Sequence, residues 1–181
     1  MNIREKPCVL VFTTSYFPFV GGVEIAIKEV IRRNVVSYSF FIITARVRRN
    51  LPKREFYEGG TIIRVGFGVF LDKWFLPFLS TYMAWKIKRT HTHAPLLIWG
   101  LDISQGSIGA TITKWLFPHI PFLLTLQYGE GNIRLEKGRK GFIRLAFHWM
   151  LAWADQVSAI SFYLIEIARK YDYCGKIHLI P

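Results

Sequence analysis

The sequence predicts an α/β fold built on a doubly wound parallel sheet. Two observations carry this reading. Short apolar, β-rich runs alternate with stretches of helical periodicity along the whole chain, and that alternation closes into a parallel sheet with helices packed on it. Hydrophobic residues are 51% of 181 positions and charged residues 20%, which gives one domain enough apolar surface for a core and excludes a disordered chain.

The elements follow in order. Pro7 to Thr14 (PCVLVFTT) is a buried strand by its continuous apolar character. Val23 to Arg33 is a helix, with Val23, Ile27, Val30 and Ile31 on one face and Lys28, Arg32 and Arg33 on another. Ser39 to Ala45 (SFFIITA) and Thr61 to Val65 (TIIRV) are the next strands, the second preceded by a Gly59-Gly60 turn. Leu71 to Arg89 favours a helix, interrupted or started near Pro77. Pro95 to Trp99 is a strand closed by Gly100, and Ser104 to Phe117 is helical. Pro121 to Leu126 is a strand, Arg139 to Ala154 a strongly apolar helix, and Gln156 to Ile160 a short strand. Ser161 to Tyr171 is a helix with Ser161 as its N-cap, and Lys176 to Ile180 is the last strand. No repeat or linker interrupts this order, so residues 1–181 form a single domain.

Charge narrows the partners. Lys and Arg number 24 against 12 Asp and Glu, a formal charge of +12, and such an excess calls for an acidic partner. The mean hydropathy is nevertheless positive at +0.25 and aromatics reach 16%, a combination that suits the face of an anionic membrane. The basic residues lie in separate loops without a recognition motif, so nucleic acid is not the expected partner. Cys8 and Cys174 stand at opposite ends, which excludes a disulfide framework and fits a reducing compartment. The N-terminus lacks a secretory core. The greasiest stretch, Phe67 to Trp85, is broken by Asp72, Lys73 and Pro77, leaving about a dozen uninterrupted residues where roughly 20 are needed to span a bilayer. The expected location is the cytoplasm, with room for a peripheral position on the inner face of the membrane.

Ligands of such sheets bind beyond the carboxyl ends of the strands, so the residues after each strand are the informative ones. After the first come Gly21 and Gly22, leading into a helix whose N–H groups and dipole can hold a phosphate; a turn demanded by backbone geometry explains the pair equally well. Five basic residues in nine, Arg46, Arg48, Arg49, Lys53 and Arg54, follow the second strand, as headgroup or phosphate contacts or as a solvated loop. Asp102 either presents a carboxylate or caps the next helix, capping being the simpler reading. The polar, glycine-rich run Gln127, Gly129, Glu130, Gly131 and Asn132 follows Leu126. Histidines 91 and 93 sit in a polar connector, and neither a metal-ligand pattern nor a Gly-x-Ser-x-Gly nucleophile is present.

Several of these segments together resemble one family. Tyr16-Phe-Pro-Phe-Val-Gly-Gly-Val-Glu24 is similar to the first loop of family 4 glycosyltransferases. Ile43-Thr-Ala, Leu51-Pro-Lys-Arg-Glu55 and Gly59-Gly-Thr-Ile-Ile-Arg-Val65 resemble its second-strand region, and Leu123-Leu-Thr-Leu-Gln127-Tyr-Gly129-Glu130 its fifth-strand loop. Ala154-Asp155-Gln-Val-Ser-Ala-Ile-Ser161 and Lys176-Ile-His-Leu-Ile-Pro181 match two further elements, and all five are collinear.

The resemblance implies a Rossmann-like, acceptor-side half of a GT-B enzyme, whose donor-binding C-terminal domain is absent from this chain. It implies retaining transfer of a hexosyl group from a nucleotide sugar to a cell-envelope or lipid-linked glycan, with no metal and no cofactor beyond that co-substrate. Gly21 and Gly22 would approach the donor diphosphate; Glu24, Asp102, Gln127, Gly129 and Glu130 would line the sugar and acceptor side; the catalytic residue stays unassigned. Many relatives carry histidine where Gln127 stands, and glutamine cannot titrate. Arg46, Arg48, Arg49, Lys73, Trp74, Lys86, Lys88 and Arg89 are the expected contacts to an anionic acceptor or membrane, with most of the neighbouring aromatics (Phe75, Phe78, Tyr82 and Trp85 among them) expected in the core. The alternative is a stand-alone module that binds an anionic lipid or polymer without catalysis.

Overall fold

The computed structural model describes residues 6–90, 95–127 and 141–180. Their eight strands are β1 (Cys8–Phe12), β2 (Ser39–Ala45), β3 (Arg54–Tyr57), β4 (Gly60–Val65), β5 (Pro95–Leu101), β6 (Phe122–Leu126), β7 (Gln156–Ala159) and β8 (Ile177–Leu179). They form one sheet in the order β3-β4-β2-β1-β5-β6-β7-β8. Every neighbouring pair is parallel except β3 and β4. Helices α1 (Gly22–Asn34), α2 (Asp72–Thr90), α3 (Gln105–Leu116), α4 (Phe142–Trp153) and α5 (Phe162–Lys170) connect them. The expected α/β class and parallel sheet are therefore present.

One strand departs from expectation. The basic stretch ending at Arg54 enters β3, an antiparallel edge strand hairpinned to β4 with Tyr57 opposite Gly60. Its two-residue turn is Glu58-Gly59, with φ of 49° and 90°. Both central residues are left-handed, as the turn whose twist matches a hairpin requires.

The two faces of the sheet are unequally covered. Cys8, Leu10 and Phe12 of β1 point into a large core shared with residues of α2, α3, α4 and α5. Val9 and Val11 point the other way, where Ile27 and Ile31 of α1 close a smaller core with Phe40, Ile42 and Ile62. This is the period-two alternation of a strand buried on both sides. Along β5 to β7 no described helix covers that second face. A groove of about 830 Å³ runs there from Gly22 and Gln127 at the carboxyl edge to Arg33 and Asn34 at the amino edge, floored by Leu97, Trp99 and Thr125.

Small residues let α3 approach its neighbours. A Cβ on Gly106 would lie 2.7 Å from the Thr13 backbone, and one on Gly109 would meet Ser80 and Pro77 of α2. Thr81 of α2 donates to the Gly109 carbonyl at 3.1 Å, so the α2–α3 contact is small and polar. Ser104 caps α3 and Ser161 caps α5, the latter as expected.

Cys8 and Cys174 are both free thiols, the first buried in the sheet and the second exposed. Burial pushes the Cys8 thiol up from its ordinary value near 9 to about 12, because desolvation disfavours the thiolate. A thiol reagent at pH 8 is therefore expected to titrate Cys174 alone in the folded chain and Cys8 only in denaturant. The folded state keeps this proton after the unfolded chain has lost it. Stability linked to Cys8 is thus fully present below pH 9 and falls as pH rises from 9 toward 12. Urea midpoints across that range check it, and a Cys8→Ala chain should lose less stability over the same span.

Candidate functional site

The sheet's order reverses at β1, which lies between β2 and β5. Loops leaving β1 and β5 diverge to opposite sides there and open a crevice at the carboxyl edge. Residues 13–21 connect the end of β1 to the start of α1. Thr14 Oγ1 donates to Gln105 Oε1 at 3.2 Å and accepts from the Gly106 amide at 3.4 Å, tying the end of β1 to the start of α3.

Gly21 and Gly22 open α1 at this edge. Gly21 is the N-cap, extended at φ −136° and ψ −176°, and makes no side-chain capping bond. A Cβ there would lie 2.8 Å from Glu24 Oε2, while one on Gly22 would meet nothing within 4 Å. Neither residue has positive φ. Backbone geometry thus does not demand glycine at position 22, and the bland explanation of the pair fails at that residue. Glu24 is turned toward the strand side, where Ser15 Oγ donates to its Oε1 at 3.3 Å. The outer side of Gly22 stays open.

A buried arginine holds this loop in place. The side chain of Arg64 is 1% exposed and that of Glu55 31%. One guanidinium nitrogen donates to Phe17 O at 2.6 Å and Glu55 Oε1 at 2.9 Å, the other to Pro52 O at 3.1 Å. It pins the glycine loop, the end of the basic loop and β3 together. Tyr16 beside it is fully packed, and burial, then the nearby Tyr57, Glu24 and Glu58, holds its phenol above the usual range. Arg64 lies within the expected strand, and residue order alone gives it no role. An arginine inside an otherwise apolar TIIRV strand was the available signal.

Asp102 does not cap α3; Ser104 does, accepting from the Ser107 amide. Asp102 instead sits in the left-handed region at φ 57°, and its Oδ1 accepts from the Gln127 amide at 2.7 Å. It clamps the ends of β5 and β6 together, which fixes where Gln127 enters the groove. Gly129 and Glu130 lie outside the described residues, as do His91 and His93. Among the described residues no group of three or more His, Cys, Asp and Glu side chains could hold a metal ion.

The basic residues divide by what they touch. Arg46 braces its own loop, donating to Leu51 O and Arg49 O at 2.8 and 2.6 Å. Arg48 stands over the Phe19 ring at 5.0 Å, joining the basic loop to the glycine loop. Arg49 is exposed, and a Cβ on Gly68 would come within 2.7 Å of its Cα. Lys73, Lys88 and Arg89 stand 4.4 Å over the rings of Phe70, Phe117 and Trp85. Thus Arg46 and Arg48 touch the basic loop and the glycine loop, whereas Lys73, Trp74, Lys86, Lys88 and Arg89 are carried by α2. The aromatics of that helix, Phe75, Phe78, Tyr82 and Trp85, are exposed, which overturns the expectation that most belong to the core; Leu76, Ala84 and Ile87 hold the core-facing positions.

No family model matches the chain, and no curated protein matches its sequence. Solved structures do share its fold. Sucrose-phosphate synthase from Thermosynechococcus elongatus aligns over 98% of this chain and 48% of its own, at 16% identity and a TM-score of 0.69. A second, shorter chain of that synthase aligns over 97% of this chain and 88% of its own, at 16% identity and a TM-score of 0.62. The α,α-trehalose 6-phosphate synthase from Burkholderia multivorans aligns over 92% and 41%, at 12% identity and a TM-score of 0.50. This chain therefore spans about half the length of the two longer synthase chains, and its α/β sheet matches the Rossmann-like fold of these GT-B neighbours.

Proposed function

We propose that this chain is the acceptor-side half of a glycosyltransferase that moves a sugar from a nucleotide-sugar donor to a cell-envelope or lipid-linked glycan. The observation that carries the reading is Gly22, an uncrowded glycine at an uncapped helix start on the sheet's switch point. Glycine there excludes nothing of the chain's own and keeps the helix N–H groups open to a diphosphate. Similarity in fold to two sugar-phosphate synthases supports it, as does the family 4 resemblance of the five collinear segments.

In this reading the bond between the sugar's anomeric carbon and the diphosphate breaks. A new bond forms to an acceptor hydroxyl, the hydroxyl proton departs, and nucleoside diphosphate leaves. Gly21 and Gly22 serve the departing diphosphate, whose growing charge the α1 dipole stabilises. Glu24, Asp102 and Gln127, with Gly129 and Glu130, serve the sugar and acceptor side. The reaction retains anomeric configuration and draws on no metal. Arg64 is a positioning residue that holds the glycine loop.

The test is release of nucleoside diphosphate by the full-length gene product from a panel of nucleotide sugars, with and without an envelope-lipid extract. Release that requires both donor and extract is expected. Binding of the extract with no release from any donor would favour the non-catalytic module instead.

A further inference from the structure

The parallel ladder between β5 and β6 runs one step past the strands. Its last register pair sets Leu101 opposite Thr125, and the Asp102 amide then donates to Thr125 O at 2.8 Å. In a parallel ladder the next bond would run from the Gln127 amide to the carbonyl of Asp102. Here the chain has already turned away toward α3. Asp102 lies in the left-handed region at φ 57°, and its carbonyl accepts from the Ser104 amide at 3.0 Å. The Asp102 carboxylate takes the vacated role, Oδ1 accepting from the Gln127 amide at 2.7 Å. A side chain thus supplies the ladder bond that the departing backbone withdraws.

Register decides which way Gln127 points. Leu124 and Leu126 of β6 face the large core, so Thr125, and a residue held in the same register two positions on, face the groove. Thr125 and Gln127 both line it, together with Gly22. The residue beneath Gln127 is locked as well. Trp99 Nε1 donates to Thr125 Oγ1 at 2.8 Å, and the Thr125 and Ser158 hydroxyls share a bond of 2.7 Å. Gln127 therefore ends a fixed polar row, with its amide pinned from the β5 side.

The residue type at position 102 carries a conflict. Left-handed backbone is uncommon for a residue with a side chain, and aspartate is one of the few that tolerate it. Glycine would take φ 57° without strain, yet it has no acceptor for the Gln127 amide. Aspartate bears the strain and keeps the acceptor. Strain retained in this way is expected where the placement of a single residue matters to a site.

We infer that Asp102 is a positioning residue, which acts on the reaction through Gln127 by holding it in strand register on the groove face beside Gly22, and which does not itself meet the sugar. Its effect on rate rests on the transfer reading; the register it imposes on Gln127 is a property of the fold.

The test compares the full-length gene product with Asp102→Asn, Asp102→Gly, Gln127→Ala and the double variant Asp102→Gly/Gln127→Ala. Asparagine tolerates the same φ and presents an amide oxygen in place of Oδ1, whereas glycine suits the φ and presents nothing. The Gln127 amide should resist hydrogen exchange in wild type and Asp102→Asn, and exchange about tenfold faster or more in Asp102→Gly. Nucleoside diphosphate release, measured with donor and envelope-lipid extract, should fall about tenfold in Asp102→Gly and stay within about threefold of wild type in Asp102→Asn. Adding Asp102→Gly to Gln127→Ala should cost nothing further. Equal exchange at Gln127 in wild type and Asp102→Gly overturns the inference. A loss in Asp102→Asn as large as in Asp102→Gly also does, since the carboxylate would then meet the substrate directly. So do additive losses in the double variant, or release that merely follows melting temperature across the set. Wild type that releases nothing from any donor would defeat the transfer reading instead, and exchange at Gln127 would then decide the positioning by itself.

Discussion

In the full-length gene product, Gly22→Asp is expected to abolish sugar transfer while leaving the fold intact or slightly firmer. The two effects have opposite signs for one physical reason. A carboxylate at the first turn of α1 interacts favourably with the helix dipole, by about 0.3–1 kcal/mol, and position 22 has open space for the side chain. The same charge meets a bound diphosphate at roughly 4 Å, where like charges near a protein surface repel by about 4 kcal/mol, close to a thousandfold in rate. Gly22→Ala separates charge from bulk. It fits without a clash and should keep more activity than Gly22→Asp at equal stability. Melting curves and donor turnover on the three chains decide it. Equal turnover by wild type and Gly22→Asp would take the phosphate away from this helix.

Much of the architecture is legible in residue order because a parallel sheet buries both faces of its strands. Runs such as CVLVF and SFFIITA have little else they can be, and Ser161 before an amphipathic stretch marks a helix start by its hydroxyl. The edge strand β3 was hidden for the complementary reason. An edge strand faces solvent and carries charge, so Arg54 to Tyr57 reads as more of the basic loop before it. The turn that gives it away is Glu58-Gly59, with both residues left-handed, one position ahead of the glycine pair that the sequence draws the eye to.

The candidate site is legible in part. Gly21 and Gly22 announce themselves by type, yet only the empty space around a Cβ at 22 separates a ligand's requirement from a turn's. Asp102 looks like a cap because it precedes a helix. Its carboxylate instead accepts from the Gln127 amide, 25 residues away just past the end of β6, a pairing set by sheet order rather than by local sequence. On α2 the difficulty is that both faces are apolar, so periodicity cannot say which one is inside. The small residues of α3 decide it, since Gly109 draws Pro77 and Ser80 inward and leaves the rings in water.

Arg64→Met is expected to cost about 3 kcal/mol, a fall of roughly 6–12 °C in melting temperature for a domain of this size. Three segments lose their common donor at once, since Phe17 O, Pro52 O and the Glu55 carboxylate all bond to this guanidinium. Arg64→Lys should fall between the two, because an ammonium keeps the charge but cannot present the planar fork that reaches all three acceptors. Glu55→Met alone leaves a buried cation with two carbonyls and no counter-charge, so it should also destabilise, by about 1–3 kcal/mol given Glu55's partial exposure. The double variant separates structure from charge: combined with Arg64→Met, the Glu55→Met change should cost much less than it does alone, because no stranded charge remains. Additive losses would mean that Arg64 and Glu55 act independently. The carbonyls of Phe17 and Pro52 would then be the contacts that matter, and the glycine loop would owe its position to Arg64's bond with Phe17 O rather than to the ion pair.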